Sequence, residues 1–175
     1  DNGQGFGRVS RLLHWLTVLV LLLSVPLAIV GADLPLGPLR LILLTLHKSL
    51  GVCLLGLWLT RLPWRLWQGW PRPLATAPWL QRAGRAAHIA LYLLTIAAII
   101  SGWAYSSAAA FPVGLFGLFL LPPLLAPDKA LADILVLVHR TIVYGLLALI
   151  VLHLAGAWYH HRVLKDRTLR RMLRG

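Results

Sequence analysis

Apolar and polar positions in this chain segregate into long blocks and do not alternate with the short periods of half-buried strands or amphipathic helices. Nothing between Arg11 and Asp33 carries a charge, and a run of that length matches the roughly 20 residues a helix needs to cross a bilayer. Three more such blocks follow. The pattern predicts membrane-spanning helices over about 12–31, 39–62, 85–105 and 131–161, the second carrying Arg40 at its start, Lys48 within it and Arg61 at its end. The first block is longer than the apolar core of a secretory signal and has no small-residue cleavage pattern before Asp33, so it is expected to be a retained span.

The connections are marked by their punctuation. A turn around Asp33, Pro35, Gly37 and Pro38 separates the first two spans. Residues 63–82 are rich in Trp, Pro and Arg, and Trp64, Trp67, Trp70 and Trp79 have the composition of an interfacial aromatic belt. Residues 106–127 are uncharged and long enough to suggest a fifth span. Pro112, Gly114, Gly117, Pro122 and Pro123 interrupt them, and another crossing would invert the polarity of everything downstream. They are therefore expected to form an interfacial loop, with or without a short helix.

Charge fixes the expected orientation. Arg8 and Arg11, then Arg61, Arg65, Arg72, Arg82 and Arg85, then the tail from Arg162 to Arg174 all fall on one side of a four-span map. The other side has only Arg40 and Lys129 near its loops. By the positive-inside rule both termini and the central loop are expected to be cytoplasmic. Composition agrees with a membrane chain: 59% of the 175 residues are hydrophobic and 13% charged, against roughly a quarter charged in soluble domains. The net charge of +12 follows the membrane edges, so nucleic acid is not an expected partner. Cys53 is the single cysteine, which excludes an intramolecular disulfide, a multi-thiolate zinc site and an iron–sulfur cluster.

Seven histidines then demand an explanation, because ionisable groups inside spans are costly and usually functional. His14, His47, His88, His139 and His153 fall inside the spans, and His160 and His161 at the end of the last one. His139 and His153 lie fourteen residues apart, which returns to within about 40° of the same face and separates them by about 21 Å along the axis. One metal cannot reach both, but two cofactors stacked across the membrane can each take one. Counted by depth, His47 matches His139 at the outer level and His14 matches His153 at the inner level, with His88 competing for the inner site.

Haem suits such pairs, since its macrocycle supplies four of six iron ligands and only two axial nitrogens are needed. Zinc is the rival, yet each level offers two clear ligands and no carboxylate lies in any span beyond Asp133 at the start of the last one. The bland alternative is a set of packing histidines joined by interhelical hydrogen bonds, which two matched levels disfavour. Haems with both axial positions filled by histidine move single electrons and leave no open iron position.

Cations accompany the proposed ligands. Lys48 follows His47 and Arg140 follows His139, and pairing with haem propionates would offset their burial. Snorkelling towards headgroups is the alternative. An outward opening beside them would also steer a small anion such as superoxide. Arg11 and Arg85 stand in the same relation to inner propionates. His88 and His160 lie near the inner level, and histidine is the residue type suited to proton delivery at a quinone-reducing site.

These residues sit in runs that resemble the bacterial cytochrome b561 family: RVSRLLHWLTVLVLL, HKSLG, AAHIALYLLTIAAIISGW and VHRTIVYGLLALIVLHLAGAWYHHRVLKDRTLRRML. The resemblance covers nearly the whole chain. It implies an all-α, integral membrane four-helix bundle holding two b haems, with axial ligands falling on His14, His47, His139 and His153, and His88 matching the family's third-helix histidine. It further implies a bacterial cytoplasmic membrane location, electron exchange with ubiquinone and, for some members, oxidation of superoxide. The expected activity is electron transfer between an outer-face donor and the quinone pool, in its sharpest form superoxide:ubiquinone oxidoreductase. A non-catalytic electron-transfer subunit docked to a partner dehydrogenase or redox protein is the alternative.

Overall fold

A computed structural model describes residues 5–69 and 77–174. Four long helices, α1 (Arg8–Asp33), α2 (Pro38–Gln68), α3 (Pro78–Ala108) and α4 (Lys129–Arg162), make up most of it. Each is long and apolar enough to cross a membrane; at 1.5 Å per residue, even the shortest exceeds the roughly 30 Å of a hydrocarbon core.

Local sequence sets their ends. Leu34 is extended before Pro35, as the residue preceding a proline prefers, and Pro38 opens α2 at a position where a helix loses nothing by lacking an N–H. Arg40 closes the turn by donating to the carbonyls of Leu34 (2.8 Å) and Ala32 (3.3 Å) at the end of α1. The Asp128 side chain caps α4, accepting from the Leu131 amide at 3.1 Å.

The expected loop of residues 63–82 is narrower in the structure. Helix α2 runs through Pro63 to Gln68 and α3 begins at Pro78, so Trp64, Trp67 and Trp79 are helical. Proline removes a single intrahelical donor, and the Trp64 indole fixes the continuing turn by donating to Ser10 Oγ of α1 at 3.0 Å. Trp70 and Arg72 lie outside the described residues.

Residues 106–127 form no helix beyond the end of α3. They contain a small antiparallel hairpin, β1 (Gly114–Leu115) and β2 (Phe119–Leu120). Its turn places Phe116 and Gly117 at φ of 46° and 77°, the two consecutive left-handed residues of a type I′ connection. The hairpin is fastened to α2: Ser49 Oγ donates to the Gly114 carbonyl and accepts from the Phe116 amide, both at 3.0 Å. Trp103 of α3 donates to the Pro122 carbonyl at 3.1 Å.

Helices α1 and α2 pack closely as one antiparallel pair and α3 and α4 as another, the pairs meeting more loosely through α2 and α3. A soluble bundle would bury its large apolar residues. Here the buried positions are mostly small or polar, among them Ser10, Ser24, Ser49, Thr95 and Ser101, while Leu22, Leu137 and Leu152 are each at least 65% exposed. Small and hydroxyl residues let helices approach and bond in lipid, and the apolar exterior faces a solvent that is itself apolar. At the basic end a short helix, α5 (Thr168–Leu173), folds back on α1, where Arg11 and Trp15 donate to the carbonyls of Leu173 and Met172 at 3.3 and 3.2 Å.

Candidate haem-binding sites

His47 and His139 face each other near the hairpin end. Their ring centroids are 6.3 Å apart, with planes at 67°. A metal–imidazole bond is about 2 Å and the ring adds about 1 Å on each side, so one iron between two imidazoles needs centroids about 6 Å apart. The second coordination layer is also present. His47 Nδ1 donates to the Ser24 carbonyl at 3.0 Å, with Ser24 Oγ at 2.9 Å. His139 Nδ1 donates to the Ala98 carbonyl at 3.0 Å, with Ser101 Oγ at 3.2 Å. A carbonyl only accepts, so each Nδ1 carries the proton and each Nε2 keeps the lone pair that iron requires.

Gly102 makes room for this arrangement. A Cβ there would lie 2.9 Å from His139 Cε1, closer than carbon atoms approach without displacement.

The basic end holds three histidines. The His14 and His153 centroids are 6.5 Å apart, again the spacing of an axial pair. His88 and His153 are 5.2 Å apart, too close for an iron between them. His88 therefore stands beside the pair and is not an equivalent of it. Arg61 of α2 reaches in, its guanidinium donating to His14 Nδ1 at 2.9 Å and lying 5.2 Å from the Tyr92 ring centre; this contact places the proton of His14 on Nε2, so it has to give way for His14 to hold a metal as His47 and His139 can. Among the described residues, no three His, Cys, Asp or Glu side chains gather as a metal cluster, so the donors offered are imidazole pairs. They fit a planar tetradentate group with two open axial positions and do not fit a tetrahedral ion.

The other expected contacts fall as follows. Lys48 donates to the Pro112 carbonyl at 2.7 Å and lies 5.7 Å from the Phe111 ring centre, so it holds the hairpin loop. Arg140 and Arg85 are exposed. Arg11 reaches α5 through one terminal nitrogen, and its buried Nε has no hydrogen-bond partner among the described residues. His160 Nδ1 pairs with Asp166, whose other oxygen accepts from the Thr168 amide at 2.8 Å. Burial pushes the Asp166 carboxyl up, but the hydrogen bonds from His160 and Thr168 outweigh it and hold the group below the usual carboxylate range. That pairing ties the end of α4 to α5.

Sequence reasoning named the histidines but missed Ser24, Ala98, Ser101, Gly102 and Arg61. The serines carried a weak signal, being small polar residues inside apolar runs. Arg61 had been counted only as a cation at the membrane edge.

Four apolar helices presenting facing imidazoles inside the bundle define a membrane cytochrome of the b type. Comparison with known proteins agrees: residues 5–175 match the family described as prokaryotic cytochrome b561. Escherichia coli (strain K12) cytochrome b561 homolog 2 is 35% identical, covering 99% of this chain and 93% of its own length. Cytochrome b561 homolog 1 from the same organism is 25% identical, covering 96% of each. The chain belongs to the prokaryotic cytochrome b561 family, whose members are haem b electron-transfer proteins of the membrane.

Proposed function

We propose that the chain binds two haem b groups, one between His47 and His139 and one between His14 and His153, and carries electrons between a donor at the outer face and the ubiquinone pool. The observation that carries this reading is the recurrence of one spacing, 6.3 and 6.5 Å, at two levels of the bundle. Bound haem would supply one-electron chemistry, held by these imidazoles. The protein supplies the imidazoles, their orientation and a water-poor interior.

The basic end is cytoplasmic in this reading, in keeping with the distribution of Lys and Arg, and the hairpin end faces outward. Arg11, with a buried Nε lacking a partner, suits an inner propionate. Arg85 is a second candidate there, and Lys48 and Arg140 are candidates at the outer level. His88, beside the inner pair, and His160, whose Nδ1 pairs with Asp166, are the groups to deliver protons to a quinone bound near the basic end.

The sharpest form of the function is superoxide:ubiquinone oxidoreductase. Two superoxide ions are each oxidised to dioxygen, and the two electrons, with two protons, reduce one quinone to quinol. The exposed Arg140 guanidinium favours an anionic donor. Stopped-flow mixing of the purified, oxidised protein with superoxide tests it. Rapid appearance of reduced b-type bands, followed by quinone-dependent reoxidation, is expected. Bands that stay oxidised with superoxide but appear with a reduced redox protein would instead identify an electron-transfer subunit.

A further inference from the structure

The two levels differ in what touches the imidazoles. At the hairpin end both Nδ1 atoms donate to carbonyl oxygens, a contact that pushes electron density onto the ring and favours ferric iron. At the basic end the Arg61 guanidinium reaches His14 Nδ1 at 2.9 Å; with His14 Nε2 on iron that nitrogen carries the proton, so the guanidinium acts on the centre through its full positive charge and not as a donor to the ring. A guanidinium at this level opposes the extra positive charge of ferric iron.

Among the described residues no acidic side chain is paired with it. The described ion pairs are Lys129–Asp133 and His160–Asp166, and the chain has no glutamate. The cations at the hairpin end are placed differently: Arg140 is on the exposed face of α4 and Lys48 points to the Pro112 carbonyl, whereas Arg61 reaches a ring of the basic-end pair directly. Arg61 is partly buried among α1, α2 and α3, with Tyr92 beneath it. The sign of its effect does not depend on whether the guanidinium stays on His14 or turns to a propionate, since its charge remains at this level.

We propose that Arg61 is a positioning residue that holds the reduction potential of the basic-end haem above that of the hairpin-end haem, so that electrons pass from the outer centre to the inner one. In that transfer the outer haem, when bound, would give up one electron and the inner one would take it up, with no proton or further reactant required. The inference rests on the two-haem reading and adds a direction to it.

The test is a potentiometric titration of the b-type absorbance in the purified holoprotein. Wild type is expected to titrate as two components. Arg61→Gln should lower the higher one, by at least tenfold in its reduction equilibrium, about 59 mV for one electron, and leave the lower one unmoved. Arg61→Lys, which keeps the charge, should restore most of the difference. Both midpoints unmoved in Arg61→Gln, both shifted together, or the higher one raised would overturn the proposal. So would two wild-type haems titrating as a single component. If Arg61→Gln loses a haem, Arg61→Lys must retain both haems and both midpoints; loss there too would show a role in assembly and overturn the proposal. A wild-type content of one haem per chain would instead fail the two-haem reading.

Discussion

At the hairpin end two histidines meet across the bundle, each tied through Nδ1 to a carbonyl of a neighbouring helix. At the basic end three histidines crowd one level, and an arginine occupies the nitrogen that a carbonyl occupies at the other. The spacing of the facing rings is nearly the same in both. The difference teaches that spacing and surroundings are set by different parts of the chain. Positions along four helix axes bring the rings to one depth, whereas carbonyls and side chains of adjoining helices decide what each ring can give to a bound metal.

The most severe way to break the comparison is through Gly102. Gly102→Leu drives a side chain into the His139 ring, and its expected outcome is loss of one haem of two, with the basic-end centre retained; absorbance per chain checks it. Ser24→Ala with Ser101→Ala sharpens the contrast more gently. The carbonyls of Ser24 and Ala98 remain as acceptors, so haem affinity at the hairpin end should fall by roughly tenfold, the low end for outer-layer substitutions. Rates of haem transfer to an excess of a haem scavenger would show it, and only one phase should change.

Lys48→Met tests whether that lysine serves the hairpin. It removes the bond to the Pro112 carbonyl, with an expected loss of about 1–3 kcal/mol in local stability. Hydrogen exchange should rise in residues 111–121 and stay constant around His14 and His153. The smallest effect is expected at the C-terminal clasp. Asp166 has a folded-state pKa below the usual carboxylate value. Its contribution is therefore present above the unfolded-state pKa and fades as pH falls through the folded value. Asp166→Asn should open the segment around Lys165 to trypsin at neutral pH, and acidification should loosen the wild-type clasp, both leaving the haem spectrum intact.

Much of this architecture is legible in the sequence because lipid makes simple demands. A helix must be long and apolar, so the blocks between charges mark the four helices, and depth counted along them places His47 near His139 and His14 near His153. What stayed hidden depends on packing between elements distant in sequence. The hairpin escaped notice because its turn uses Phe116 and Gly117 in place of the usual Asn–Gly, and because an apolar run at the membrane edge has no obligatory alternation. Gly102 reads as one more small residue in an apolar helix until His139 is placed against it. Arg61 and His14 lie on different helices, so only the bundle shows that a cation at the membrane edge turns inward to an imidazole.

The central claim is that each end of the bundle holds one haem, and haem stoichiometry tests it most directly. Extracted haem measured against protein by amino-acid analysis should give two haem b per wild-type chain, one in His139→Ala and one in His14→Ala. A wild-type value of one, or a single substitution that removes both haems or neither, would contradict it.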